Sequence, residues 1–145
     1  MPLRAATTRD LPDIERLLLA NQLPTVGVRE AIDGFVVAVE SGKIVGAIGI
    51  ETCDSRYGLL RSAVVDSDSR GKGIGRDLVH RVLGDSQARR FEALYLLTTT
   101  AEKYFPAFGF SVVTRSDVPE TVRQTHEFRE ACPASATVMM RRLKD

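Results

Sequence analysis

A glycine-rich turn in the middle of the chain has the residue types and spacing of an anion-binding site. The apolar pair Val64-Val65 is followed by polar residues and then by Arg70-Gly71-Lys72-Gly73-Ile74-Gly75-Arg76, which opens a predicted helix. Unpaired backbone N–H groups and the positive end of the helix dipole meet at such a turn, and glycines let a phosphate approach the backbone closely. The sequence therefore predicts a phosphate-binding turn over residues 70–76.

The spacing of this turn argues against two common nucleotide sites. A Walker loop closes with Gly-Lys-Ser/Thr, and the turn here does not, so nucleoside triphosphate chemistry is not expected. A dinucleotide fold carries its G-x-G fingerprint in the first strand–helix unit, with an acidic residue about 20 positions later. Here Gly71, Gly73 and Gly75 lie mid-chain, after several predicted strands. A phosphorylated ligand of another kind is expected.

The composition predicts one globular domain over residues 1–145. Hydrophobic residues make up 43% of the 145, which is enough for one core, and the net charge of +1 argues against a nucleic-acid partner. No apolar run reaches the ~18 residues of a membrane span, and the start of the chain lacks the apolar region of a signal peptide. Cys53 and Cys132 stand in no zinc-binding or disulfide pattern, so a metal-free, cytoplasmic protein is the expectation.

The elements that must position the turn are predicted from hydrophobic periodicity and from breaker residues. The predicted strands cover residues 3–6, 35–40, 43–51, 59–65, 93–98, 110–113 and 137–143. The predicted helices are one capped by Asp10 and three over residues 73–88, 101–108 and 119–129. Ser41-Gly42 is a hairpin signal between the second and third strands. This order is typical of a mixed α/β domain.

Two motifs resemble the GNAT superfamily of N-acetyltransferases. The string 70–75 is similar to its acetyl-CoA motif, Q/R-x-x-G-x-G/A, and residues 101–110, AEKYFPAFGF, are similar to its A-x-x-F-Y-x-x-x-G-F segment. The predicted element order also resembles the GNAT order, so the resemblance covers nearly the whole chain. It implies a mixed, mostly antiparallel central sheet of about six to seven strands flanked by helices, with acetyl-CoA as co-substrate.

Three strings resemble a narrower group, the small GNAT proteins associated with arsenic-resistance operons. They are residues 59–62, 94–100 and 132–136. The threonine-ended strand and the Phe-rich helix are also similar to the acetyltransferase domain of bacterial N-acetylglutamate synthases. These resemblances imply a small, anionic, amino-acid-like amine as acceptor, such as a glutamate analogue or an organoarsenical, and Thr98 as a substrate contact.

The GNAT resemblance assigns cofactor contacts to the turn and to the strand before it. The pyrophosphate would lie on the backbone amides of residues 70–76, and the pantetheine arm would pair with Ala63-Val64-Val65. The Ala63 N–H would donate to the thioester oxygen. The family's tyrosine, which protonates the CoA thiolate, falls on Phe105, which has no proton to give and is expected to contact the cofactor. Tyr104 is adjacent but rotated by ~100° on a helix, so catalysis and packing both stay open for it.

Glu51 and Arg61 are the candidates on the acceptor side. Glu51 follows the apolar part of its strand, where a carboxylate would remove a proton from the ammonium nucleophile. A solvated glutamate at a strand end is the alternative. Arg61 interrupts an apolar strand on the face of Ala63, so it would suit a substrate carboxylate. Its alternative is an ion pair with a structural acid such as Glu51.

Residues 116–135 form a connection that is long for its place between the final strands. Arg123, His126 and Glu127 follow i, i+3 and i+4 spacing, which predicts one helical face, and Arg129 comes after them. Long irregular connections often serve as lids. Arg123 and His126 are therefore predicted substrate contacts, with solvated surface charges as the alternative.

The sequence as a whole predicts an acetyl-CoA-dependent N-acetyltransferase in which a primary amine attacks the thioester directly, as a monomer or homodimer. Acetylation of a protein lysine or N-terminus is a second interpretation, although residues 116–135 would cover the groove that a peptide needs. A third interpretation is a GNAT module that binds acyl-CoA as a sensor or subunit without chemistry. The missing tyrosine at Phe105 favours that third interpretation.

Overall fold

The computed structural model describes residues 2–131 and 134–144, so the Cys132-Pro133 part of one resemblance lies outside the described residues. The strands are β1 (Leu3–Ala5), β2 (Phe35–Glu40), β3 (Lys43–Thr52), β4 (Tyr57–Val65), β5 (Ala93–Thr98), β6 (Ser111–Val113) and β7 (Thr137–Arg142). The α-helices are α1 (Leu11–Ala20), α2 (Ile74–Ala88) and α3 (Glu120–Arg123). Within these ranges no helix has the length and apolar character to cross a membrane.

All seven of these strands form one sheet in the order β1-β2-β3-β4-β5-β7-β6. Only β4 and β5 pair in parallel, and every other neighbouring pair of these strands is antiparallel. The predicted mixed, mostly antiparallel sheet is therefore confirmed. The single parallel contact lies at the centre of the sheet, where two antiparallel halves meet.

The sheet has a hydrophobic core on each face because successive side chains alternate along a strand. On β2, Val36 and Ala38 pack on the side of α2, while Phe35 and Val37 pack on the side of α1. The buried face of α2 consists of Ile74, Leu78, Val79, Val82 and Leu83, and that of α1 of Leu11, Ile14 and Leu18. These helices hold the central strands between two layers.

β4 and β5 separate after a short stretch of pairing. Their register runs only from Tyr57 opposite Ala93 to Leu59 opposite Tyr95. On its other side, β4 carries an extra residue, because the β3–β4 register shifts so that residues 62 and 63 stand opposite Ile48 alone. Ser62 takes a left-handed φ of 58° at this bulge. The bulge bends β4 away from β5 and leaves an opening at the centre of the sheet.

Two predicted helices are shorter than the sequence indicated. In residues 101–108, a 3-10 helix spans only Phe105–Phe108, because Pro106 has no N–H for an α-helical bond. The predicted helix 119–129 is the short α3, a break, and then a π-helix over Glu127–Ala131. At the break the hydroxyl of Thr125 donates to the Val122 carbonyl at 2.8 Å, and a side chain bonded in this way competes with the helical ladder.

Candidate active site

The opening between β4 and β5 leads into two cavities that share a wall. The larger, of about 600 Å³, follows the glycine-rich turn to the first residues of α2. The smaller, of about 290 Å³, lies between the separated parts of β4 and β5. The residues that line both are Leu23, Ala63, Thr100 and Tyr104. The two cavities therefore adjoin at these four residues.

The glycine-rich turn provides backbone donors at the far end of the larger cavity. Gly71 and Gly73 have φ angles of +83° and +82°, which side chains other than that of glycine rarely adopt. Gly73 is the N-cap of α2 and makes no side-chain cap bond, and the Asp77 N–H donates to the Gly73 carbonyl at 3.1 Å. The backbone N–H groups of residues 74–76 belong to the first turn of α2, where an anion binds favourably.

Most residues predicted to contact the cofactor line the larger cavity. They are Ala63, Val64, Val65, Arg70, Gly71, Gly73, Ile74, Gly75 and Arg76. Lys72 does not line it, and its ammonium lies 3.3 Å from Glu40. Arg70 donates to the Val65 carbonyl at 3.2 Å and to Asn21 Oδ1 at 2.6 Å, so its guanidinium ties the turn to the end of α1.

Ala63 lies at the junction of the two cavities and outside both strand ladders. Neither the β3–β4 register nor the β4–β5 register gives it a partner. Ala63 is exposed, although its neighbours Ser62 and Val64 are buried. Backbone polar groups of a strand need a partner, which can be another strand or a ligand. The bulge therefore leaves the backbone of Ala63 available to a molecule that occupies the opening.

Tyr104 lines both cavities, while the neighbouring Phe105 packs in the core. Tyr104 has a right-handed helical backbone, with φ −84° and ψ −45°, so its side chain points in a different direction from that of the buried Phe105, as a rotation of ~100° per helical residue predicts. Its phenol oxygen lies near Gly75, at 3.4 Å from the position that a Cβ there would take. Burial raises the pKa of this phenol, which keeps its proton at neutral pH. Phe105, in contrast, is a buried core residue that lines the smaller of the two cavities and not the larger.

Arg61 is buried in an ion pair, which is the alternative that the sequence left open. Its side chain has no exposed surface, and its Nη1 donates to Glu51 Oε1 at 3.0 Å. Its Nη2 donates to the Val26 carbonyl at 2.6 Å and its Nε to Ser62 Oγ at 3.1 Å. Glu51 is paired opposite Leu59, before the strands separate, and lines neither cavity. Glu51 therefore lies beside the opening and is joined to the smaller cavity through Arg61.

Glu127, which the sequence grouped with Arg123 and His126 on one predicted helical face, is buried beside the smaller cavity. It is 5% exposed and lines the smaller cavity, with Oε1 at 3.9 Å from Arg61 Nε. Its Oε2 is buried and has no hydrogen-bond partner among the described residues. Burial raises the pKa of this carboxyl to about 7, with Glu51 adding to the rise and Arg61 opposing it. A buried arginine requires an acid, but only the tertiary structure shows that this one has two.

The other predicted substrate contacts differ in where they lie. Thr98 lines the smaller cavity, and its hydroxyl accepts the Ala101 N–H at 2.9 Å. Arg123 and His126 are exposed and line neither cavity. Arg123 ends α3, His126 lies in the break and Glu127 begins the π-helix, so the predicted common helical face of these three residues is not formed.

Comparison with known families identifies the fold. The family model described as the acetyltransferase (GNAT) domain matches residues 31–112, which include most of the sheet and the glycine-rich turn. The chain belongs to this family of acetyltransferases. The matched residues include β4 and β5, which separate, and α2, which connects them. The predicted family is therefore confirmed.

Curated relatives are similar to this GNAT domain at moderate identity. The uncharacterized protein YwlB of Bacillus subtilis is 27% identical over 143 residues, which cover 97% of this chain and 95% of YwlB. The N-acetylaspartate synthetase of Rattus norvegicus is 37% identical over 89 residues, 57% of this chain and 29% of the synthetase. The aligned part thus spans less than a third of that synthetase.

Solved structures share the fold of this GNAT domain. Rv2747 from Mycobacterium tuberculosis, in a complex that includes CoA, has a TM-score of 0.83 at 24% identity, covering 98% of this chain and 99% of the other. The N-acetylglutamate synthase from Neisseria gonorrhoeae, complexed with coenzyme A and N-acetyl-glutamate, has a TM-score of 0.83 at 20% identity. The match covers 99% of this chain and 35% of that synthase.

The buried position of Glu127 predicts a pH-dependent cost to stability. Its pKa rises from the ordinary glutamate value of 4.5 to about 7 in the folded protein. The folded state therefore binds more protons between these values, and stability falls as pH rises through that window. Glu127→Gln removes the ionised form, so it should raise the free energy of unfolding at pH 8 by up to about 3 kcal/mol. Urea unfolding at pH 8 and pH 4.5 measures this.

The matched control is the exposed Glu30→Gln, which removes the same charge from the surface. The gain from Glu127→Gln should shrink towards pH 4.5, while Glu30→Gln should change little at either pH. An equal effect of Glu127→Gln at both pH values would contradict the assigned burial cost.

Proposed function

We propose that the protein transfers an acetyl group from acetyl-CoA to the primary amine of a small, amino-acid-like molecule by direct attack. The observation that carries the proposal is the meeting of the two cavities at Ala63. One cavity ends at a helix N-terminus suited to a pyrophosphate, and the other is large enough for a small amine. A donor and an acceptor that enter from the two sides would touch at the same backbone position.

The lining of the larger cavity supports a phosphorylated thioester as its ligand. The turn at Gly71 and Gly73 offers backbone N–H groups to the pyrophosphate, with Arg70 and Arg76 close by. The backbone of residues 63–65 would pair with the amides of the pantetheine arm like an added strand. The Ala63 N–H would then stabilise the negative charge that develops on the thioester oxygen.

Tyr104 is proposed to protonate the leaving thiolate. Its phenol lines both cavities, and its raised pKa means that it carries a proton to give. The family motif places the tyrosine one position later, at Phe105. In this chain Phe105 packs in the core, and the phenol would be supplied from the neighbouring position by Tyr104.

An amino-acid-like acceptor is favoured by the relatives. Two of the similar proteins bear the names N-acetylaspartate synthetase and N-acetylglutamate synthase. A small amino acid also suits a cavity of about 290 Å³ better than a peptide does. Arsenical or phosphinic glutamate analogues belong to the same size class, so they enter the test beside the ordinary amino acids.

The proposed activity is tested by the release of free thiol from acetyl-CoA in the presence of an amine panel. The panel contains amino acids, their decarboxylated amines, a glutamate analogue, an organoarsenical amine and a lysine peptide. Faster release with one group of amino acids than with their decarboxylated amines supports the proposal. Preference for the peptide supports protein acetylation. CoA binding without thiol release for any amine supports a sensor module and overturns the enzymatic assignment.

Gly73 is expected to be essential for CoA binding. In Gly73→Val the side chain would meet the Arg76 guanidinium at 2.9 Å and would occupy a left-handed backbone position beside the expected pyrophosphate. The dissociation constant for CoA, measured by calorimetry, should rise tenfold or more. Gly42→Val is the control, because Gly42 also has a positive φ, of +75°, with nothing within 4 Å, and lies outside both cavities. Equal CoA binding by both variants would contradict the assigned pyrophosphate site.

Removal of the Tyr104 hydroxyl should slow turnover. Tyr104→Phe loses the proposed proton donor, so kcat should fall by about 100-fold, at the lower end for an acid–base residue, since a thiolate leaves readily. Tyr57→Phe removes a hydroxyl that lines neither cavity and should keep the parent kcat. A Tyr104→Phe protein with the parent kcat would show that water protonates the thiolate.

A further inference from the structure

We propose that Glu127 binds the ammonium group of the acceptor and takes its proton, while Arg61 and Glu51 hold the Glu127 carboxylate in position. The inference rests on the proposed acetyl transfer and adds the residue that prepares the nucleophile. Glu127 would be the catalytic residue, because it touches the reacting amine. Arg61 and Glu51 would be positioning residues, because they act through it.

The first argument is that Glu127 shares its one cation among the described residues, Arg61, with Glu51. Arg61 gives three of its N–H groups to Glu51, Ser62 and the Val26 carbonyl, and its nearest contact with Glu127 is 3.9 Å, longer than a hydrogen bond. Glu127 Oε2 is buried and accepts no hydrogen bond from the described residues. Proteins rarely retain a buried carboxylate oxygen in this state without a ligand or a function for it.

The second argument is the location of the unpaired carboxylate. Glu127 lines the smaller cavity together with Ala63 and Tyr104, which the proposed reaction also uses. A cation placed there would supply the partner that the carboxylate lacks. A primary amine arrives as an ammonium ion at neutral pH, so the same contact would bind the acceptor and present its proton to a base.

The two carboxylates beside Arg61 differ in what they can do. Glu51 accepts from Arg61 Nη1 at 3.0 Å and lines neither cavity, so it neutralises the guanidinium. Glu127 is the second acid beside a single cation, and it faces the cavity. The net charge of Arg61, Glu51 and Glu127 together is therefore zero when Glu127 is protonated and −1 when it is ionised. That excess charge would attract an ammonium ion.

The proton balance of the proposed step is complete. The ammonium proton passes to the Glu127 carboxylate, and the lone pair of the neutral amine forms the new N–C bond at the thioester carbonyl. The C–S bond then breaks with its electron pair on sulfur, and Tyr104 gives that sulfur a proton. The remaining surplus proton on the nitrogen restores the Tyr104 phenol through solvent. Glu127 finally loses its proton to bulk water.

The electrostatic surroundings of Glu127 predict how its titration can be moved. The charged groups that face it are Arg61 from β4 and Glu51 from β3, while His126 on the same segment and Arg123 on α3 are exposed. The Glu51 charge raises the pKa of Glu127, so Glu51→Gln should lower that pKa. The acid limb of a pH–rate profile would then move to lower pH without disappearing.

The test compares kcat over pH 5.5–8.5 for the parent, Glu127→Gln, Glu127→Asp and Glu51→Gln with the best acceptor from the panel. The parent should lose activity about tenfold per pH unit below pH 7, as expected for one essential base. Glu127→Gln should lower kcat by about 100-fold or more and lose this limb. Glu127→Asp should retain the limb with a smaller loss, and Glu51→Gln should shift it downwards. Deprotonation of the amine substrate also makes kcat rise with pH, and this separate rise should be the same in all four proteins.

A binding measurement separates this inference from the proposed function. With CoA bound, the dissociation constant of the amine at pH 8 should rise tenfold or more in Glu127→Gln, while that of CoA should stay the same. If Glu127→Gln keeps both the parent limb and the parent amine affinity while the parent turns over, the inference is overturned and the proposed function stands. If the parent turns over no amine of the panel, the proposed function and the role of Glu127 as a base both fail.

Discussion

The separation of β4 and β5 after Leu59 is the constraint on which the rest of the site depends. Strands at the centre of a sheet normally satisfy their backbone groups on both sides, and unpaired groups in that position are costly unless water or a ligand reaches them. The bulge at Ser62 and Ala63 bends β4 out of register and makes the separation local. From Tyr57 to Leu59, β4 still pairs with β5, so the two halves of the sheet remain joined beside the opening.

The charged cluster beside the opening shows a balance between stability and chemistry. Arg61 ties β4 to β3 through Glu51 and to the segment after α1 through the Val26 carbonyl. These contacts fix the part of β4 that no longer pairs with β5. Adding Glu127 to the same guanidinium is unfavourable for folding, because the second carboxylate has no cation of its own. A residue that weakens the fold and faces a cavity is better explained by binding than by packing.

The sequence predicted the parts of this structure that depend on local pattern. The strands, α2 and the glycine-rich turn follow from alternation, helical periodicity and glycine spacing, all of which act over a few neighbouring residues. The prediction was wrong where a single side chain interrupts a pattern, as Pro106 and Thr125 do. The sequence named Glu51 as one possible acid partner of Arg61 but did not predict the full set of contacts, because Val26, Glu51 and Glu127 come from three separate segments.

The strand order has a consequence for how the molecule assembles. β7 lies between β5 and β6, although it comes later in the chain than either. During synthesis β1 to β4 can pair in sequence order. In contrast, β6 has no strand to pair with until the residues of β7 have been synthesised. Contacts between distant segments form late because loop closure must precede them. The segment of Glu127 connects these two strands, so the acceptor side of the cavity would be completed after the glycine-rich turn is already in place.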